Sequence, residues 1–154
     1  MEYSVPRSVV NAFYEAYAGR DGAKVAEFLH DDVEWTISGP VDLLPFCGLR
    51  HGKDAVRALI EKDVPAVFRI FSFVTDVMLV DGDRVATLNR LAARHTDGSR
   101  VISYRLSHFL RFRDDKVVEN VSLIDSFNAV EQVLGYLLAH HEGEPIGDEN
   151  LVAV

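Results

Sequence analysis

VISYRLSHFLRFRDDKVVENVSLID, residues 101–125, decides how this chain folds. Two long extended runs, 101–113 and 117–125, are joined only by a short turn at Asp114-Asp115. A turn that short returns the chain beside itself, so the two runs are antiparallel neighbours. The same logic repeats toward the N-terminus. Asp97-Gly98-Ser99 joins a run over 85–95 to the one over 101–113, and Asp81-Gly82-Asp83 joins 70–80 to 85–95. Four long strands linked by short polar turns predict an antiparallel meander.

The first half reads differently. Val9, Val10, Phe13, Tyr14 and Tyr17 recur at three-to-four spacing and predict a helix over 4–18, with Ser4 as cap, Pro6 in the first turn and Gly19 at the stop. Asp21 opens a short second helix with Val25, Phe28 and Leu29 inward. Val33, Trp35 and Ile37 alternate with Glu34, Thr36 and Ser38, which predicts a half-buried strand ended by Gly39-Pro40. PVDLLPFCGLRH, residues 40–51, reads as a loop too apolar to stand in water, so it is expected to lie over something. A helix follows over 52–63, and Pro65 is expected to push Val64 out of helical geometry. A last helix is predicted over 128–139, with Asn128 and Glu131 as a capping box. The division is then one domain over 1–139 and a polar tail over 140–154.

Helices in the first half and a meander in the second make an α+β fold. A strongly twisted sheet of long strands curls, and helices laid in its concave face leave a cone with a pocket. The totals fit one such domain: 154 residues, 48% of them apolar. The net charge of −8, from 16 basic and 24 acidic residues, argues against nucleic acid as the main partner. A single cysteine, Cys47, rules out an internal disulfide framework. There is no secretory pattern and no run of about 18 apolar residues, so the expected location is the cytoplasm, away from membranes. Phosphate-loop, nucleophile-elbow and zinc-helix motifs are absent, no histidine inside the domain forms a ligand-spaced pair with another or with Cys47, and His140-His141-Glu142 reads as a solvated tail. No metal and no cofactor are expected.

The alternation then picks out inward polar groups. Along 101–113, Tyr104 and His108 share a face with Leu106, Leu110 and Phe112. Asn89 lies opposite the arginines of its own strand, and so points in with Thr87 and Leu91. On the last strand Val117, Glu119, Val121, Leu123 and Asp125 share the more apolar face, which predicts that Asp125 points into the cone. Two readings of Asp125 stand side by side: a pocket carboxylate whose pKa burial would raise, or a helix cap. His108 is a satisfied core histidine or an acid/base group beside Asp125. Trp35 is core or a flat wall for a planar ligand, and Tyr14 and Tyr17 are core with hydroxyls able to reach the cavity.

Three stretches, FYEAYAGRDGAKVAEFLHDDVEW (13–35), GPVDLLPFCGLRHGKDAVRALI (39–60) and HFLRFRDDKVVENVSLIDSFNAVEQVLG (108–135), resemble the NTF2-like superfamily. Within it they are similar to the SnoaL-like polyketide cyclase and ketosteroid-isomerase-related group. The resemblance implies a cone-shaped fold, a curved antiparallel sheet wrapped on three to four helices, and a homodimer formed through the outer sheet face. Asp125, followed by Gln132 and Leu134-Gly135, matches the aspartate that SnoaL-type cyclases use as acid/base. The place where steroid isomerases carry their base is Gly39-Pro40 here, so that carboxylate is missing.

The leading expectation is a cofactor-independent isomerase or cyclase for a small apolar carbonyl compound. Asp125 would move the proton, and His108, Tyr104 or Asn89 would hold the enolate oxygen. The alternative is a non-catalytic protein whose cone binds a lipid-like or aromatic molecule. A dimeric scaffold with a filled cone is a third.

Overall fold

The computed structural model describes residues 2–98, 100–135 and 138. The C-terminal tail and the predicted end of the last helix at 139 lie outside the described residues. The elements run α1 (Arg7–Ala18), α2 (Gly22–Glu27), β1 (Leu29–Ser38), β2 (Gly48–His51), α3 (Lys53–Ala58), a π-helical turn (Leu59–Asp63), α4 (Val64–Val67), β3 (Phe68–Asp81), β4 (Arg84–His95), β5 (Val101–Arg113), β6 (Lys116–Ile124) and α5 (Ser126–Leu134).

The meander predicted for the second half is present as β3 to β6. The sheet is larger and more mixed than a meander. Its order is β2-β1-β6-β5-β4-β3, with β1 parallel to β6 and β2 antiparallel to β1. The curved, open sheet wraps the helices and makes the cone that the sequence predicts. Its core holds Phe13 and Val10 of α1, Val25 of α2, Trp35 of β1, Leu110 and Phe112 of β5 and Phe68 of β3, each 1% exposed or less. No described helix is long and apolar enough to cross a membrane.

Several expectations need correction. Helix α1 starts at Arg7 rather than residue 4, because Val5 donates its N–H to the Gly82 carbonyl and is tied to the β3–β4 turn. The stretch 40–51 is not all loop: Gly48–His51 pairs along β1, while Leu44, Phe46 and Cys47 before it are buried against the core. Pro65 does not expel Val64, which is helical at φ −67° and ψ −48°. The π-helical turn before it, closed by the Val64 N–H on the Leu59 carbonyl, lets the chain re-enter a helix in which Pro65 sits in the first turn.

The correction that matters most is in β6. Arg111 pairs with Glu119, but Phe112 pairs with Val117, so Val118 is an extra residue bulged out of the ladder. Val117 and Val118 are both buried, and the alternation slips by one beyond them. Asn120 and Ser122 become the inward residues, and Glu119, Val121 and Leu123 turn outward. Asp125 goes with them: it is exposed, and its carboxylate accepts from the Asn128 backbone N–H as the N-cap of α5. The predicted inward placement of Asp125 is therefore overturned, and Asn128 is not the cap.

Candidate functional site

The inner face of β4 presents Thr87 and Asn89, and that of β5 presents Tyr104 and His108, as the alternation predicts. Helix α1 lays Tyr14 and Tyr17 across them. These residues build a chain of buried hydrogen bonds. Thr75 of β3 donates its hydroxyl to Asn89 Oδ1 at 2.8 Å. The Asn89 amide donates to Thr87 Oγ1 at 2.9 Å. Thr87 Oγ1 and the Tyr14 hydroxyl lie 2.8 Å apart, and the Tyr14 hydroxyl and His108 Nδ1 lie 3.0 Å apart. Two proton arrangements satisfy all four bonds: Thr87 donates to Tyr14 and Tyr14 to Nδ1, or Nδ1 donates to Tyr14 and Tyr14 to Thr87; the first leaves a donor facing the cone. A neutral imidazole that accepts at Nδ1 carries its proton at Nε2. Each bond in such a chain polarises the next, which strengthens the last donor.

Burial makes the imidazole neutral. His108 is 0% exposed, and desolvation, helped by the positive charge of Arg20, pushes its pKa down to about 3. Aromatic rings surround it: Tyr14 and Phe73 stack on it at 5.9 and 6.0 Å, and Tyr17 and Trp35 meet it at an angle at 5.2 and 6.2 Å. Its Nε2 has no partner. Trp35 Nε1 and Asn120 Oδ1, also buried, have none either. Asn120 sits beside Trp35 in the β1–β6 ladder and beside Leu110 in β5–β6, and its amide donates to Ser122, the neighbour of His108. Three polar atoms, an indole N–H, an amide oxygen and an imidazole nitrogen, thus lie unpaired around the cone floor. Buried polar groups are rarely left so, and unpaired ones mark a place for a water or a ligand.

Toward the mouth, a chamber of about 30 Å³ is lined by Tyr17, Arg20, Phe46, Leu91, Tyr104 and Ser122 among others. It has room for about one water. Burial raises the Tyr104 phenol well above its ordinary pKa, so it is a neutral donor there. Larger depressions lie outside the cone. One of about 650 Å³ runs along α1 and α2 beside Glu15, Lys24 and Glu27, and another of about 330 Å³ holds Asp125 with Arg90, Arg105 and Asn128 on the outer sheet face. Neither gathers buried, unpaired polar atoms, so volume is a poorer guide here than the state of the polar groups.

The structure thus brings His108, Tyr14, Tyr17, Trp35, Asn89 and Tyr104 together and leaves Asp125 outside. As an exposed cap, Asp125 is expected to be replaceable by asparagine within about 0.5 kcal/mol and by alanine at a cost of about 1 kcal/mol, read from urea melts near pH 7. A gain in stability for Asp125→Asn would instead mark a carboxylate forced into the cone. Arg20, Asn120 and Ser122 were missed by sequence reasoning. The slipped register hid the last two, and Arg20 follows a helix-ending glycine with no pattern to single it out. Cys47 is a buried free thiol whose pKa burial raises to about 11, which makes it a poor nucleophile. Among the described residues no cluster of His, Cys, Asp or Glu could hold a metal.

A SnoaL-like domain model matches residues 10–120. No curated protein matches. Among solved structures, a candidate isomerase from Rhodopseudomonas palustris is 28% identical with a TM-score of 0.71, covering 82% of this chain and 93% of its own. An NTF2-like protein of unknown function from Burkholderia pseudomallei is 25% identical with a TM-score of 0.74, over 82% and 95%. TerC, co-crystallised with polyporic acid, is 20% identical with a TM-score of 0.73, over 82% and 96%, a likeness of fold alone.

Proposed function

The chain belongs to the SnoaL-like domain family, and on that premise we propose that it is a cofactor-independent isomerase or cyclase for a small apolar carbonyl compound held in the cone. The observation that carries this reading is the neutral, fully buried His108, whose Nε2 is unpaired at the end of a hydrogen-bonded chain. A neutral imidazole in a dry site donates to a carbonyl oxygen and stabilises the enolate that develops on it. Trp35 Nε1 offers a second donor on the same floor, and Asn120 Oδ1 can accept from a hydroxyl. None of the buried polar side chains among the described residues is a carboxylate. With no base in the cone, the C–H proton is taken by solvent hydroxide or water entering from the mouth, and solvent returns a proton to the product carbon; the substrates suited to this site have C–H groups acidified by a carbonyl. The lone buried Cys47 suits a reducing cytoplasm.

That lack of a buried carboxylate is also the observation favouring a second reading, a non-catalytic binding protein for the same class of molecule. Deuterium exchange at the α-carbon separates the two. Aryl ketones and β,γ-unsaturated ketones are incubated with the protein in D₂O and followed by proton NMR. Saturable exchange above the buffer rate supports the enzyme. Binding without such exchange leaves the binding protein.

A homodimer is part of the proposal. On the outer sheet face Leu79, Ala86, Phe109 and Val121 form one row across β3 to β6, and Val77, Leu88, Ser107 and Leu123 form the next. Leu79 is 64% exposed and Phe109 48%. Contiguous apolar surface of this kind suits a second copy. Sedimentation equilibrium at micromolar concentration is expected to give a dimer, and Phe109→Glu a monomer. A monomeric wild-type protein would exclude the assembly.

A further inference from the structure

We infer that the chamber at the cone mouth recognises an organic anion, a carboxylate or enolate on an apolar skeleton, through the Arg20 guanidinium with the hydroxyls of Tyr17 and Tyr104. The inference rests on the functional reading above and names the charge of its substrate. Three observations carry it. Arg20 is the charged residue of a chamber whose other lining is apolar apart from Tyr17, Tyr104 and Ser122. It has no ion-pair partner among the described residues; its guanidinium lies over the Tyr17 ring, 5.0 Å from the centroid. A half-buried cation without a carboxylate is what an anionic ligand would complete.

The backbone gives the second observation. Arg20 has φ 54°, in the left-handed region that a residue with a long side chain seldom occupies. Gly19 before it and Gly22 just beyond would take that conformation without cost, yet the arginine holds it. A strained backbone that aims a charged side chain at a cavity points to a use for that side chain. The third observation is that the Tyr17 and Tyr104 hydroxyls make no hydrogen bond among the described residues and are not sealed in the core, so both are open to a ligand in the chamber. Arg20 acts electrostatically on both Tyr104 and His108, so its charge reaches from the mouth to the floor. The chamber holds about one water as it stands, so an organic anion requires the Arg20 guanidinium to swing off the Tyr17 ring as it enters.

Trp35 is the single tryptophan, and Tyr17 stacks on it at 6.0 Å, so intrinsic fluorescence reports on the cone. The test titrates the full chain with hydrocinnamate and with its methyl ester. Wild type is expected to bind the acid at least about tenfold more tightly than the ester, the scale of one charged hydrogen bond. Arg20→Gly, which suits the left-handed backbone, is expected to abolish that preference, and Arg20→Lys to keep part of it. Equal binding of acid and ester by wild type would overturn the anion assignment and leave the carbonyl-binding cone standing. An acid preference undiminished in Arg20→Gly would overturn the role of Arg20. Binding of neither probe would count against both the anion assignment and the cone as a ligand site.

Discussion

Replacing His108 with leucine is expected to reduce catalysed α-proton exchange by about a hundred- to a thousand-fold, the usual effect of losing one buried donor to a developing oxyanion. The imidazole is the one group that joins the Thr75–Asn89–Thr87–Tyr14 chain to the cone floor. Leucine keeps much of the volume and removes both nitrogens, so the floor loses its donor while the aromatic box stays filled. His108→Gln can still present an N–H and is expected to retain more activity than leucine. The same replacement changes the response to acid. With a folded pKa near 3 and an ordinary value of 6.5, the unfolded chain binds a proton at position 108 between those limits and the folded chain does not. The wild type therefore loses stability as pH falls below about 6.5, by about 1.4 kcal/mol per unit once well below it. Between pH 7 and pH 5 the His108 share amounts to about 2 kcal/mol, and the leucine variant is expected to lack it. Urea melts at the two pH values read the difference. An equal acid loss in both proteins would place a charged or exposed imidazole at that position.

Phe13→Ala is expected to cost about 3–5 kcal/mol, a large share of the roughly 5–15 kcal/mol that stabilises a domain of this size. Phe13 is 0% exposed and lies at the centre of the rings that shape the cone. Tyr14 is 5.1 Å away, Tyr17 5.9 Å, Phe28 6.2 Å, and Trp35 and Phe112 6.4 Å each. Removing it opens a void bordered by α1, α2, β1 and β5 at once, which leaves few side chains free to relax into the space. Because Tyr14 and Tyr17 share its helix, ligand binding should weaken along with stability. A loss under about 1 kcal/mol in a urea melt would contradict this account of the core.

How far the sequence could be read follows from where alternation holds. In β4 and β5 every second residue keeps to its face, so the burial of Asn89, Tyr104 and His108 was legible. In β6 a single bulged residue, Val118, reversed the faces from there on, and with them the orientation of Asp125. A bulge between two valines leaves no mark in an alternating pattern, because either valine suits the core. The parallel pairing of β1 with β6 was equally hidden, since alternation tells which face a residue takes and not which strand lies beside it. Strand β2 is four residues long, and its start at Gly48 and the following Gly52 both have positive φ, so it looked like part of the apolar loop. Arg20 was hidden for a related reason: its role depends on a left-handed backbone, which residue type alone does not reveal.

The neutral donor at the cone floor is tested most directly by NMR of the ring nitrogens of ¹⁵N-histidine-labelled protein at pH 5.5, with His108→Gln to assign the signals. The account predicts a neutral His108 with its proton on Nε2 and Nδ1 in a hydrogen bond. It further predicts that Nε2 shifts when an aryl ketone is added. A doubly protonated His108 at that pH, or a proton on Nδ1 with Nε2 bare, would contradict it.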